Sequence, residues 1–183
     1  MIQLDIKQDI KKIEKSLYKL NKNIPKATSR ALNKAIVKVK TEAKRDLSQR
    51  MGIAAKKVSQ SFRVIKANVS NLKAYINARG AHIQLIYFKR TRQLKKGVKS
   101  QAWGKDKLYR GTFIAKMNSG HKGVFTRLFR KSIAGEPINL PIKELYGPSV
   151  PKEMNEKIVI KKMRTVGRIT FWNEFKRQLR RVL

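Results

Sequence analysis

The sequence predicts an α+β fold, with helices in its N-terminal part, a central antiparallel β-sheet and a basic C-terminal helix. Apolar residues recur at helical spacing near the start of the chain, short β-branched and aromatic runs occupy the middle, and the helical spacing returns in the last thirty residues. Since 183 residues is an ordinary length for one domain, we expect a single domain over 1–183. Its parts are a helical region, a sheet, a proline-rich segment that we call the tongue, and a helix, at 1–52, 53–137, 138–154 and 155–183.

Two helices are predicted in the N-terminal part. The first covers 5–23, where one face carries Ile6, Ile10, Ile13, Leu17 and Leu20. Pro25 interrupts this pattern, because proline disfavours a helical residue before it. A second helix follows, and Gly52 is a suitable end for it. Its small residues, which would let another element approach closely, are Ala27, Ala31 and Ala35.

Four segments in the middle of the chain are typical of β-strands, namely 61–67, 72–78, 82–88 and 110–117. Their antiparallel pairing would form the sheet. Between the last two lies the stretch 89–99, "KRTRQLKKGVK", in which six of eleven residues are Lys or Arg and Gly97 marks a turn.

The C-terminal helix is predicted from an apolar stripe backed by basic residues. The stripe consists of Met163, Val166, Ile169, Trp172, Phe175, Leu179 and Val182. We expect the stripe to be buried and the basic face to meet solvent or a partner.

The charge of the chain is its most unusual property. Lys and Arg number 45 against 11 Asp and Glu, a formal net charge of +34. Self-repulsion on this scale disfavours a compact state, so we expect a nucleic acid or an acidic protein surface as partner; a solvated basic surface is the alternative. The contact residues that we predict suit DNA and an acidic protein equally. They are first Lys89, Arg90, Arg92, Lys95, Lys96 and Lys99, and then Arg177, Arg180 and Arg181.

Residues of catalytic, cofactor and metal sites are scarce. The chain has no cysteine, and its two histidines, His82 and His121, stand apart in a strand pattern and in a turn. Gly104 and Lys105 are followed by Asp106, not by the Ser or Thr of a phosphate-binding loop. We therefore expect no enzyme, no cofactor and no metal site. Base-reading motifs are missing as well, so DNA binding would be electrostatic and independent of sequence.

Several stretches of the chain resemble one protein family. They are 31–53, 76–103, 111–128 and 140–151. The most specific are "FIAKMNSGHKGVFTR" (113–127) and "PIKELYGPSVP" (141–151). Together they resemble the prophage minor tail protein Z family, the tail completion proteins of long-tailed bacteriophages, over roughly residues 25–152.

The resemblance implies a non-enzymatic structural protein of the virion, located in the tail or neck, that acts in tail completion and head-to-tail joining at the DNA passage. The implied partners are other tail or neck proteins (the tail terminator or connector ring), further copies in a homo-oligomer, and phage double-stranded DNA. The protein would be in the host cytoplasm during assembly, without a membrane contact. The alternative is a sequence-independent nucleic-acid-binding protein unrelated to virions, which would explain the charge but not the tongue.

The tongue is rigid and carries few charges. Pro141, Pro148 and Pro151 fix backbone angles and remove hydrogen-bond donors. We expect a preformed segment that presents Leu145 and Tyr146 to a neighbouring protein, with Pro148 and Pro151 in the same interface. The alternative is that the tongue only covers a sheet edge of its own domain.

Overall fold

The computed structural model describes residues 2–3, 23–128 and 141–181, with side chains for all of these except 2–3. The predicted helix over 5–23 lies outside the described residues apart from its last residue. Val182 and the first three residues of the tongue lie outside them as well.

Four helices and nine strands occupy the described residues. The helices are α1 (Ile24–Met51), α2 (Ala55–Gln60), α3 (Val150–Met154) and α4 (Lys157–Leu179). The strands are β1 (Ile2–Gln3), β2 (Phe62–Ile65), β3 (Tyr75–Ala78), β4 (Arg92–Leu94), β5 (Gly97–Ser100), β6 (Lys107–Arg110), β7 (Thr112–Lys116), β8 (Lys122–Arg127) and β9 (Ile142–Glu144). Two 3₁₀ turns lie at Leu85–Tyr87 and Ala102–Gly104.

The fold is α+β, which confirms the predicted class. Among the described residues, however, the single central sheet of the prediction is replaced by three sheets of three strands, ordered β1-β3-β2, β4-β5-β6 and β7-β8-β9. Every pairing within them is antiparallel. No described strand is longer than six residues, and no strand pairing joins one of these sheets to another within the described residues.

The described residues fall into two compact units. Among these residues, the helical unit comprises 2–3, 23–46, 59–79 and 151–181, and the strand unit comprises 47–58, 80–128 and 141–150. The first sheet lies in the helical unit, and the other two sheets lie in the strand unit. The single domain expected from the chain length stays a prediction.

The second predicted helix is confirmed as α1. It begins at Ile24 rather than after Pro25. Proline is tolerated in the first turn of a helix, because an N–H at that position would have no partner within the helix. It ends at Met51, and Gly52 follows with a φ of 70°, as expected for a residue that stops a helix.

Long-range contacts hold the helical unit together. The predicted line of alanines on α1 is buried. Asp46 of α1 forms an ion pair with Lys162 of α4. The side chain of Asn33 donates to the carbonyl of Ala67 at 2.9 Å and accepts from the backbone N–H of the same residue at 2.8 Å. Both backbone groups of Ala67 are therefore hydrogen-bonded, as they would be beside a neighbouring strand.

The C-terminal helix is confirmed as α4, but the predicted stripe is partly wrong. Its buried side follows steps of four residues through Val159, Met163, Gly167, Phe171 and Phe175, whereas Ile169 is 56% exposed. Two residues that are three positions apart differ in direction by about 60° around a helix. Ile169 lies two such steps after Met163, so its side chain points about 120° away from the buried face.

The predicted strand at 82–88 is wrong, because this segment forms the first 3₁₀ turn. Single bridges flank the turn, from Gln84 to Tyr146 and from Phe88 to Ile53. Leu85 and Phe88, three residues apart, are buried, which is the spacing of one helical turn rather than of a strand.

Candidate functional site

The stretch 89–99, which we predict as a basic loop, contains a β-hairpin of β4 and β5. Lys95 and Lys96 form its turn and are exposed. We call residues 89–100 the basic hairpin. The Cα partners of its two strands are Arg92 and Lys99, Gln93 and Val98, and Leu94 and Gly97.

Gly97 holds the basic hairpin close to the next strand instead of forming its turn, which corrects the predicted role. Its φ is 143°, and a Cβ at this position would lie 2.0 Å from the carbonyl oxygen of Tyr109 on β6. A side chain does not fit so near the backbone, so β5 pairs with β6 only because glycine stands here.

Two uncharged side chains, which sequence reasoning missed, tie the basic hairpin to β7. The amide group of Gln93 donates to the carbonyl of Gly97 at 3.2 Å, and its Oε1 accepts from the backbone N–H of Ile114 at 2.8 Å. The hydroxyl of Thr112 accepts from the backbone N–H of Val98 at 3.1 Å. These bonds fix the strand register, so the backbone that carries the charged residues is held in position. No spacing in the sequence marks this pair of residues.

A cleft of about 490 Å³ lies at the base of the basic hairpin and is lined by Arg90, Thr91, Arg92, Lys99 and Asp106. Asp106 Oδ2 lies 3.0 Å from Lys99 Nζ and 3.4 Å from Arg90 Nη1. The hydrogen bond from Lys99 is the main cause of the lowered pKa of Asp106, and the positive charges of Lys99 and Arg90 add to it. The carboxylate is therefore ionised at neutral pH beside three cations.

Three of the six predicted contact residues of the basic hairpin line this cleft, and three do not. Those in the cleft are Arg90, Arg92 and Lys99. Those outside it, all exposed, are Lys89, Lys95 and Lys96. The contact with DNA or with an acidic protein stays a prediction for all six.

The second predicted cluster, Arg177, Arg180 and Arg181, lies at the end of α4 in the helical unit. Arg177 donates to Glu174 Oε1 at 2.6 Å, and Gln178 donates to the same oxygen at 2.8 Å. The bond from Arg177 is the main cause of the lowered pKa of Glu174. Arg180 and Arg181 follow the helix and are exposed, and their contact role stays a prediction.

The backbone of the tongue forms hydrogen bonds on both of its sides. On one side the N–H of Leu145 donates to the carbonyl of Val124 at 2.8 Å, in line with the pairing of β8 and β9. On the other side the N–H of Gly147 donates to the carbonyl of Ile83 at 2.7 Å. The part of the tongue over 142–147 therefore covers a sheet edge within the strand unit, as the alternative supposes, and these bonds hold its backbone on both sides.

The side chain of Tyr146, in contrast, projects from the tongue with 49% of its surface exposed. Its hydroxyl donates to Glu144 Oε2 at 2.8 Å, and Glu144 Oε1 lies 2.9 Å from Nε2 of His121. This hydrogen bond to Glu144 is the main cause of the raised pKa of Tyr146. His121 belongs to one of the two most specific stretches of the resemblance, and Glu144 and Tyr146 belong to the other, so the fold brings the two stretches together.

The other predicted interface residues of the tongue differ in accessibility. Leu145 is half-buried, and Pro151 is half-buried in α3. Pro148 is buried, which argues against a direct contact by its ring. Behind them, Gly147 leaves room for the buried ring of Phe88, since a Cβ on Gly147 would lie 2.5 Å from two ring atoms. Whether the tongue docks on a neighbour stays a prediction, and Tyr146 is the most accessible of the four residues predicted for that contact.

The comparison with known proteins identifies the family. The model of prophage minor tail protein Z matches residues 7–183, nearly the whole chain. The chain belongs to this family. No curated protein and no solved structure matched the chain. The resemblance seen in the sequence is thereby confirmed, and the match extends beyond 25–152 to α4 and to most of the predicted first helix.

Membership of this family makes the chain a structural component of a phage tail and hence of the virion. Within the described residues of this minor tail protein, no three His, Asp or Glu side chains form a group that could hold a metal ion. None of the helices in the described ranges is both long and apolar enough to cross a membrane. The absence of catalysis stays a prediction.

Trp103 is a further accessible aromatic residue of the minor tail protein, in the strand unit. It is 50% exposed and has a φ of 58°, a backbone conformation that residues other than glycine rarely adopt. It lies three residues before Asp106 of the cleft in the sequence. Its neighbours in the chain give no helical or strand periodicity, so the sequence does not predict its exposure.

Proposed function

We propose that this minor tail protein completes the tail at the neck and takes part in joining the head to the tail, as a structural component without enzymatic activity. Family membership over 7–183 is the observation that carries the proposal. A joining protein needs a surface for its protein neighbours and a surface that can lie beside the DNA in the passage. The tongue and the basic hairpin are our candidates for these two surfaces.

The charge distribution supports a position beside DNA. In the described part of the strand unit, sixteen Lys and Arg residues stand against two acids, Asp106 and Glu144. Both acids are already engaged, Asp106 by two cations of the cleft and Glu144 by His121 and Tyr146. Positive charges therefore outnumber acids by fourteen within this part of the unit. Double-stranded DNA, with one negative charge per about 1.7 Å of its axis, would supply the balancing charge without any base-specific contact.

Tyr146 supports docking of the tongue on a neighbouring tail or neck protein, such as the tail terminator or connector ring. Tyrosine is enriched at interface hot spots, because its ring buries a large area while its hydroxyl keeps a polar partner. In the free protein the ring is half exposed, and its hydroxyl already has Glu144 as partner. The paired backbone beneath it would lose little conformational entropy on docking.

The homo-oligomer that we propose for the virion would form only on its neighbours. A ring of six copies would carry +204, six times the +34 of one chain, and would repel itself unless a polyanion or salt screened it. We expect the isolated protein to be monomeric or polydisperse at low salt. A discrete ring of purified protein at low salt, seen by analytical ultracentrifugation, would contradict this.

Deletion of the gene from a phage that encodes this chain tests the proposal. Heads filled with DNA and tails should both assemble, and electron microscopy should show them largely unjoined, with few infectious particles. Full infectivity of the deletion phage would overturn the proposal.

A sequence-independent nucleic-acid-binding protein that acts outside the virion is the second candidate, since the charge alone would serve it. It predicts that the protein is absent from purified particles. Mass spectrometry of particles separated on a density gradient distinguishes the two, because a tail protein must co-sediment with finished tails.

A further inference from the structure

We propose that the cleft at the base of the basic hairpin binds one phosphate group of the DNA backbone, and that Asp106 occupies its cations when DNA is absent. The inference rests on the proposed contact with DNA and assigns it to a defined site. Arg90, Arg92 and Lys99 converge on the cleft, whereas Asp106 is its one acidic residue. One carboxylate leaves a formal charge of about +2 among these four side chains, which favours a further anion.

The strand pairing itself indicates an anion between the cations. Arg92 and Lys99 are Cα partners across β4 and β5, so their Cβ atoms are about 5 Å apart on one face of the hairpin. Like charges directly opposite each other destabilise a strand pair. Asp106 reaches Lys99 and Arg90 at 3.0 and 3.4 Å, so it compensates only part of this repulsion.

Arg90 is held in an unusual conformation at the edge of the cleft. Its φ is 57°, in the left-handed region that residues other than glycine rarely adopt. The residues on both sides hold it there: the N–H of Lys89 donates to the carbonyl of Gly52 at 2.7 Å, and the hydroxyl of Thr91 donates to the carbonyl of Phe88 at 2.8 Å. Such conformations are concentrated at binding sites, because the surrounding structure must maintain them.

A phosphate of DNA fits the cleft better than a single carboxylate of a protein. The cleft already contains a carboxylate, and it still has excess positive charge. The guanidinium groups of Arg90 and Arg92 offer paired donors that match phosphate oxygens. The same hairpin also carries the exposed Lys95 and Lys96 at its turn, so an anion that repeats its charge along a line could meet both the cleft and the turn.

Asp106→Asn in the full-length protein tests the proposal, with fluorescence anisotropy of a labelled 20-base-pair duplex as the readout. The change keeps the shape of the side chain and removes a negative charge that competes with the phosphate. We expect DNA affinity to rise about three- to tenfold, the effect of one charge about 4 Å away in the high dielectric of water, to which the cleft is open. The control is Glu156→Gln, which raises the net charge equally but lies in the helical unit, and we expect it to change affinity less than about twofold.

Arg92→Gln is a second test of the phosphate site, and it applies even if Asp106→Asn does not fold. Loss of a phosphate contact should lower the slope of log affinity against log salt by about 0.9. The control Lys105→Gln removes an equal charge from an exposed residue outside the cleft, and we expect it to leave the slope nearly unchanged. Equal slopes for the two variants would overturn the proposal, as would unchanged or weaker DNA binding by folded Asp106→Asn.

A labelled polyglutamate peptide distinguishes DNA from an acidic protein as the source of the anion. Tighter binding of Asp106→Asn to polyglutamate but not to duplex DNA would reassign the cleft to an acidic protein neighbour and overturn the phosphate site. The deletion phenotype does not depend on this result, so failure at the cleft leaves the proposed role in tail completion standing.

Discussion

Gly147→Ala should mainly lower the stability of the minor tail protein, whereas Tyr146→Ala should mainly lower its incorporation into tails, although the two residues are adjacent in the tongue. A Cβ at Gly147 would lie 2.5 Å from Cε2 and Cζ of Phe88, about 1 Å closer than ordinary carbon contacts. Phe88 is 3% exposed and its backbone is bridged to Ile53, so its ring has little room to withdraw. We expect Gly147→Ala to reduce the free energy of unfolding by about 2 to 3 kcal/mol, in the upper part of the range for overpacked cores.

Tyr146→Ala removes a side chain that is half exposed and that, among the described residues, donates a hydrogen bond to Glu144. Its cost to folding should not exceed about 1 kcal/mol. Thermal melts followed by circular dichroism should therefore show midpoint losses of roughly 5 to 10 °C for Gly147→Ala and at most roughly 3 °C for Tyr146→Ala. Incorporation into tails, measured by quantitative blotting of purified tails, should fall strongly for Tyr146→Ala, because truncation of an interface anchor typically costs about 2 kcal/mol of binding. Equal thermal losses for the two variants would refute this reasoning and assign the tyrosine ring to the core of its own unit.

Three further predictions, with four substitutions, test the helical unit. Phe171→Ala should cost about 3 to 5 kcal/mol in urea unfolding because the ring is fully buried, whereas Ile169→Ala on the exposed side of α4 should be nearly neutral; the reverse order would contradict the helix phase. Asn33→Ala should cost about 1 to 3 kcal/mol and raise the hydrogen-exchange rate of the Ala67 amide, and unchanged protection of that amide would show that the side chain does not hold the loop. Glu174 has a pKa lowered below its usual 4.5, so its ion pair stabilises the folded state above that pH and is lost as the pH falls through the folded pKa. Glu174→Gln should therefore reduce stability at pH 6, and its difference from the wild type should shrink as the pH falls through the folded pKa; a loss that does not change with pH would exclude the ionised pair as the cause.

The two long helices could be predicted because their apolar spacing extends over many turns. The phase of α4 could not be, since Ile169 and Phe171 are both apolar and a stripe drawn in steps of three includes the wrong one. The segment 82–88 has the composition of a strand, but burial of Leu85 and Phe88 follows one helical turn. The composition of a short apolar segment indicates that it is buried, but it does not distinguish a strand from a helical turn.

The candidate site depends on contacts that local spacing does not contain. The sequence predicts the basic residues of the hairpin, but the strand pairing is fixed by Gln93 and by the close approach at Gly97. Asp106 lies sixteen residues from Arg90 in the chain, and only the fold brings their side chains together. The rigidity of the tongue could be predicted from its prolines, whereas its pairing on both sides could not.

Complementation in a cell-free lysate tests whether the minor tail protein acts on tails that are already assembled. Purified minor tail protein is added to a lysate of the deletion phage, which contains separately assembled heads and tails, and plaques are counted. If the protein completes preformed tails, infectivity should rise with the amount of added protein until it reaches a plateau. Joined particles should then appear in electron micrographs. If added protein never rescues tails from the deletion lysate, while the same protein supplied from a plasmid during infection restores plaques, the protein acts earlier than tail completion and the proposed role is wrong.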